Sequence, residues 1–348
     1  MAGEAGHKPG GKRLESVDVA KGIAIIAIVM GHLGFTGLTG DNDVYRIVFQ
    51  FHVPIFFIIA GYFLSTKRSL GAFAAQKARR LLLPYVFTCA LLLLARMVVT
   101  LVLNGAGDAG REFDVVGFLL AALYGSGTDF NLPGSLSAIG AIWFLEALLV
   151  ALLEVRILLR WKKAAPVVVI VLFVLAAWSS TVLWLPFNIQ SGFLGGGFVY
   201  VGYLLRKAEF MTRRITPWLL VGTIAVCAAA FAFNVNVSLA SGYLGPWFLG
   251  VPVAVSTSCL VLLLSKGIAD HLGPLKRLLS FYGRNSLIVL CVHLVLLNLG
   301  VESVLALVGV PYDWNIIFFV NVAIQLVVCA LAVKIVERSR FLRAVFAA

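Results

Sequence analysis

Three polar side chains stand inside one apolar run of this sequence, at the spacing of a single helix face. The run covers residues 17–35, VDVAKGIAIIAIVMGHLGF, and carries Asp18, Lys21 and His32. It is long enough to span a bilayer as a helix. Lys21 and His32 are eleven residues apart. At about 100° per residue that is three turns with roughly 20° left over, so both project from one stripe, roughly 16 Å apart along the axis. Asp18 lies one turn before Lys21 on the same stripe. Polar groups in hydrocarbon are costly, and by default they face a cavity or a bundle interior where they act. The imidazole is the group with chemistry to offer: when neutral it can take a proton from a hydroxyl near pH 7. A plainer reading stays open, with Asp18 and Lys21 at the inner headgroup boundary and His32 capping the outer end.

The elements that must position these groups are membrane helices. Hydrophobic residues make up 61% of the 348, charged residues 13%, and the mean hydropathy is +1.00. A soluble domain keeps nearer a quarter of its residues charged. The sequence therefore predicts an all-α, polytopic integral membrane protein, one domain over residues 1–348. Ten long apolar spans can be counted, at 17–35, 44–64, 82–103, 139–159, 166–185, 193–205, 217–233, 246–265, 286–300 and 315–336. An eleventh apolar stretch, 115–124, is too short for an upright crossing.

Charge decides the topology. With ten crossings and the amino terminus inside, 24 of the 28 Lys and Arg residues fall on the inner side. A crossing at 115–124 would put every later basic cluster outside, against the positive-inside rule. That stretch is expected to be re-entrant or to lie at the outer interface. Both termini are expected in the cytoplasm, as tails 1–16 and 337–348, in a multi-pass protein of a cell membrane, bacterial in type. The formal charge of +12 is thus a topology signal and does not point to nucleic acid. The five cysteines all lie in apolar runs without metal-ligand spacing, which points away from disulfides and from a metal site. No small-residue cleavage site follows the first run, so it reads as a retained helix.

The same topology assigns depths. His32 lies near the outer end of helix 1, His52 one to two turns inside the outer end of helix 2, and Glu146 at a depth close to that of His32. Arg96, Asn321 and Gln325 fall in the outer half and His293 at mid-membrane. The stretch Gly195-Gly196-Gly197 reads as a site of close helix packing, because small residues are the usual helix contacts in membranes.

Several stretches together resemble the membrane-bound acyltransferase-3 family, in its branch of sugar O-acetylases similar to fucose 4-O-acetylase. They are Asp18-Val-Ala-Lys21-Gly-Ile with His32, a basic-x10-His motif; Phe51-His-Val-Pro-Ile-Phe-Phe through Gly61-Tyr62; and Arg79-Arg-Leu-Leu-Leu-Pro-Tyr85. Ile142-Trp143-Phe-Leu145, Val201-Gly-Tyr-Leu-Leu-Arg-Lys207 and Tyr282-Gly-Arg-Asn285-Ser286-Leu287 follow, with His293 beyond them. The order of these motifs from residue 18 to residue 293 is more specific than any one of them. The first motif has Lys21 where many relatives have Arg, and Lys lacks the bidentate fork. No soluble esterase-like domain follows the last span, so the membrane domain is expected to complete transfer itself or to hand over to a separate soluble transferase.

The resemblance implies an O-acyltransferase that moves an acyl group, acetyl by expectation, from cytoplasmic acyl-CoA to a hydroxyl of an envelope carbohydrate or glycolipid. Acetyl-CoA is then a co-substrate, and no bound cofactor is implied. His32 is the candidate base. Glu146 is a candidate to orient its second nitrogen, as carboxylates do for catalytic histidines; a pairing of Glu146 with Arg96 is the alternative. Arg79 and Arg80 are candidates for the donor phosphates, since Arg suits phosphate, against the alternative of a purely topogenic cluster. Lys21 is placed either on the donor or organising the pore through Asp18. His52, Trp143, Asn285, Ser286 and His293 are supporting positions, the two histidines read first as interhelical contacts. A transporter or exporter of a glycan or small solute, with Lys21, His32 and Glu146 as a relay, is the rival from another class, and a membrane scaffold a third.

Overall fold

A computed structural model describes residues 15–37, 43–105, 113–129, 136–212, 217–245, 247–300 and 314–346. Expectations for residues 1–14, for 38–42, 106–112 and 130–135 of the outer loops, for Arg213 and Arg214, and for the last two residues of the carboxyl tail lie outside the described residues. Among the described residues the regular elements are all helices, with an isolated bridge between Ser238 and Tyr243.

The helices are α1 (Glu15–Gly37), α2 (Asp43–Val48), α3 (Pro54–Tyr62), α4 (Leu70–Gly105), α5 (Val115–Tyr124), α6 (Trp143–Leu158), α7 (Ala165–Ser179), α8 (Ile189–Lys207), α9 (Pro217–Ala232), α10 (Trp247–His271), α11 (Gly273–Arg284), α12 (Ser286–Asn298), α13 (Trp314–Arg338) and α14 (Arg340–Phe346). Among the described residues, four are long and apolar enough to cross a membrane: Glu15–Leu33 of α1, Leu70–Val102 of α4, Leu249–His271 of α10 and Phe318–Arg338 of α13. The pair α11 and α12 passes the same test together, bent by 74°, and α5, α7 and α9 are shorter apolar helices.

Each expected span overlaps a helix at least in part, and three expectations are corrected. Residues 44–64 form two helices, broken at 49–53. Pro54 opens α3 and donates no N–H, so the ladder cannot run through unbroken. The freed Phe49 carbonyl accepts from Val237 N at 3.1 Å, and the Val48 carbonyl accepts from the side chain of His52 at 2.9 Å. Second, α4 begins at Leu70, twelve residues before the expected span, so residues read as an inner loop are helical. At about 1.5 Å per residue, its 36 residues exceed the thickness of a bilayer core. Third, α11 was not expected, because apolar length cannot reveal it: Leu275, Leu278 and Leu279 share it with Lys276 and Arg277.

α1 is the axis of the bundle. It packs against α2, α3, α10, α11, α12 and α13, and Val19, Ala20, Ala24 and Val29 are wholly buried. α4 and α13 instead expose apolar side chains such as Leu94, Leu101, Phe319 and Leu331, the signature of helices facing lipid. The helix carrying the polar stripe is therefore enclosed by protein, where intramembrane polar groups find partners. Close packing supports this. A Cβ on Gly61 of α3 would lie 1.9 Å from Val199 O, and one on Gly202 of α8 would lie 1.9 Å from Ile58 O, so the two helices touch backbone to backbone. Gly195, Gly196 and Gly197 are close-packing positions as expected, against the Phe57 ring, the Glu154 carboxylate and the Phe173 ring.

Candidate active site on α1

The amino-terminal half of α1 is locked to α11. A Cβ on Gly22 would meet Leu279 O at 2.0 Å, and one on Gly283 would meet Asp18 O at 1.8 Å. The stretches 18–22 and 279–283, far apart in sequence, thus form one contact. Asp18 is buried in it. Asn285 stands between α11 and α12, and its amide donates to Phe281 O at 3.0 Å. That bend brings Arg284 and Ser286 to a cavity of about 590 Å³.

The cavity is two-toned. Lys21, Lys77, Arg80 and Arg284 supply cations, with no acidic residue on its lining among the described residues. Ile25, Ile28, Phe56, Phe144 and Leu148 make an apolar wall. Lys21, Ile25 and Ile28 follow the stripe of α1, and His32 is the next position on it, about 6 Å beyond Ile28 along the axis. Arg80 lines the cavity and Arg79 does not, although both are exposed. The reason is helical: adjacent residues diverge by about 100°, and the residue sharing the face of Arg80 is Lys77, three positions earlier.

At the other end of the stripe, His32 does not meet Glu146. Its Nδ1 lies 3.1 Å from Nε2 of His293, and the two rings lie edge to edge and nearly coplanar, at a centroid distance of 5.3 Å and an interplanar angle of 10°. His293 is wholly buried, and its Nδ1 donates to Oε1 of Gln325. Gln325 Nε2 in turn donates to Oδ1 of Asn321 at 3.4 Å. Tyr282 fastens this part of α13 by donating to Leu326 O at 3.1 Å. His32 itself is half-buried, and its Nε2 meets no partner among the described residues.

Glu146 belongs to a separate cluster. Asn188 Nδ2 donates to its Oε2 at 3.4 Å and also to Gly125 O. Asn188 is wholly buried, at a left-handed φ of 50°, next to Phe187 at φ 58°. Tyr85, from the Arg-Leu-Leu-Leu-Pro-Tyr stretch, donates to Ala122 O. Together these groups hold the carboxyl end of α5, and Trp143 closes over Gly127 beside them. Arg96 does not pair with Glu146 either: it donates to Asn298 Oδ1 and Ala138 O, both at 2.8 Å, with its guanidinium over the Phe118 ring. His52 is buried at the break between α2 and α3, its ring against Phe49. The residues that reasoning from depth left aside are Lys77, Arg284 and the Gln325–His293 connection. The signal for the last was present, since Asn321 and Gln325 are amides inside an apolar run.

What the arrangement can do follows from its parts. Cations at one end of a cavity hold an anionic group, apolar walls hold a chain, and an imidazole with one engaged and one open nitrogen handles a proton. Two curated relatives are each a nodulation protein NolL. One is from Mesorhizobium japonicum, 27% identical over 157 residues, covering 42% of this chain and 36% of the relative. The other is from Sinorhizobium fredii, 28% identical over 170 residues, covering 44% of this chain and 41% of the relative. The matched part is thus under half the length of either relative. No solved structure matches. The family model described as an acyltransferase domain matches residues 14–334, nearly the whole chain and all of the groups placed above, and the chain belongs to that acyltransferase-3 family.

Proposed function

We propose that this protein is a multi-pass O-acyltransferase of a cell membrane, moving an acyl group, acetyl in the simplest case, from cytoplasmic acyl-CoA to a hydroxyl of an envelope carbohydrate or glycolipid. The observation that carries the reading is the cavity: four cations at one end, apolar walls, and an upward course along α1 to one turn below His32. Lys77, Arg80, Lys21 and Arg284 suit the phosphates of coenzyme A, and the apolar wall suits its extended arm. Arg80 and Arg284 bring planar forks, Lys21 and Lys77 point charges.

In the reaction, Nε2 of His32 takes the proton of the acceptor hydroxyl. The oxygen attacks the thioester carbonyl carbon, a C–O bond forms and the C–S bond breaks. The leaving thiolate takes the proton back from His32, so ester and free thiol are the products. Glu146 shapes the outer floor through Asn188 and α5, and does not act on the proton.

Transfer of labelled acetyl from acetyl-CoA to a sugar acceptor by the purified protein in detergent tests the reading; a transporter would leave the label on the donor. With Lys77 and Arg80 both changed to Gln, KM for acetyl-CoA is expected to rise about tenfold or more with kcat little changed, because charge-assisted phosphate contacts contribute to ground-state and transition-state binding alike. An unchanged KM would leave the pair purely topogenic.

The proposed topology has ten crossings with both termini and residues 65–80 cytoplasmic and residues 105–131 outside, from the 24-of-28 charge split. Reporter fusions at Gly71 and Gly127 are expected on opposite sides; a common side for both would sink it.

A further inference from the structure

The buried chain from His32 through His293 and Gln325 to Asn321 has a direction fixed by the chemistry of its members. An amide oxygen can only accept. Gln325 presents Oε1 to His293, with its Nε2 turned to Asn321. Nδ1 of His293 must therefore carry a hydrogen. In the neutral ring Nε2 of His293 is then the acceptor, and the group 3.1 Å away, Nδ1 of His32, must supply the hydrogen. That leaves the open Nε2 of His32 with its lone pair bare.

We infer that His293 and Gln325 are positioning residues that set the tautomer of His32, making Nε2 the basic atom of the site. The inference deepens the acyl-transfer reading and rests on it for the identity of the proton donor. When Nε2 accepts the acceptor's proton, the cation formed on His32 keeps Nδ1–H aimed at a lone pair of His293, which stabilises it. A carboxylate does this work in many hydrolases; here a neutral imidazole backed by an amide does it, as a wholly buried position requires, since an unpaired buried charge is far costlier than a neutral hydrogen-bonded group. The in-plane contact between the two nearly coplanar rings holds His32 within one rotamer, and Tyr282 holds the stretch of α13 that carries Gln325.

Selective ¹⁵N labelling of histidine reads the tautomer directly, without any reaction. In the wild-type protein His32 is expected to be protonated on Nδ1 and bare on Nε2; the opposite tautomer would overturn the inference by itself. Gln325→Leu removes the acceptor and is expected to mix the tautomers of His293 and His32. It should lower kcat about 10- to 100-fold, part of the ~10²–10⁴-fold that a general base contributes, with KM for acetyl-CoA unchanged. Gln325→Glu keeps an acceptor and is expected to retain activity within a few-fold. A carboxylate there makes the relay more basic, so the acid limb of the pH–kcat profile should move to higher pH. A merely structural Gln325 would instead move stability and leave the tautomer, the pH limb and kcat per folded molecule in place, which would refute the inference. Absence of any acetyl transfer by the wild-type protein would refute the functional reading, and the ¹⁵N spectrum would still decide the relay.

Discussion

His32→Gln is expected to lose most of its turnover, on the order of 10²–10⁴-fold in acetyl transfer per molecule of inserted protein, because a positioned general base contributes that much. The glutamine amide can still donate to Nε2 of His293 across the 3.1 Å contact, so the packing at the end of the stripe survives. What it cannot do is accept and return a proton near neutral pH. His32→Ala is expected to be as inactive and also less well folded, since it leaves Nε2 of the buried His293 without its hydrogen-bond partner. Donor binding, measured by the KM of residual activity or by competition, should be unaltered in the Gln variant, because the cations that meet the donor lie at Lys21, Lys77, Arg80 and Arg284. Near-normal turnover of His32→Gln would remove His32 from the chemistry and make it a packing residue, with His52 the next imidazole to test.

The contrast between His32 and Glu146 shows what a sequence of this kind carries and what it withholds. Apolar length located the helices, because a bilayer imposes it, and the boundaries of α5 are those of the apolar stretch. The stripe Lys21–His32 was legible because one helix fixes the angles among its own residues. Depth along the membrane is an expectation that charge supplies. The angle at which one helix faces another was not legible. Glu146 and His32 were expected at one depth, yet they face different neighbours, and the group that meets His32 comes from 261 residues away. Interhelical azimuth depends on which backbones can touch, and that depends on glycines distributed over several motifs. α11 escaped notice for a related reason: an amphipathic helix shorter than a crossing has no apolar length to reveal it. With the start of α4 read as loop, the shared face of Lys77 and Arg80 was lost as well, and the adjacent pair Arg79 and Arg80 took its place.

Gly283→Ala is expected to damage both fold and site, and its effect should separate the two. A Cβ there would stand 1.8 Å from Asp18 O and 2.8 Å from Gly22 N. Those are backbone atoms of a helix enclosed by protein, so no side chain can swing away; α1 and α11 must part. Overpacking a core costs roughly 1–3 kcal/mol where rotamers can adjust, and a backbone contact puts this variant at the upper end or beyond. A fall of roughly 5–10 °C in the melting midpoint in detergent follows from that cost. Gly71→Ala is the control. Its Cβ meets nothing within 4 Å and it sits in the first turn of α4, so stability should hold or rise slightly through the smaller entropy of the unfolded chain. The site effect arises because Lys21 and Arg284, the sequence neighbours of Gly22 and Gly283, both line the cavity. In the fraction of Gly283→Ala that folds, KM for acetyl-CoA should therefore rise while the tautomer of His32, three turns away, stays as in the wild type. Equal melting midpoints for Gly283→Ala and Gly71→Ala would show that α1 and α11 are not locked at this point. The two motifs would then have to act at the cavity separately.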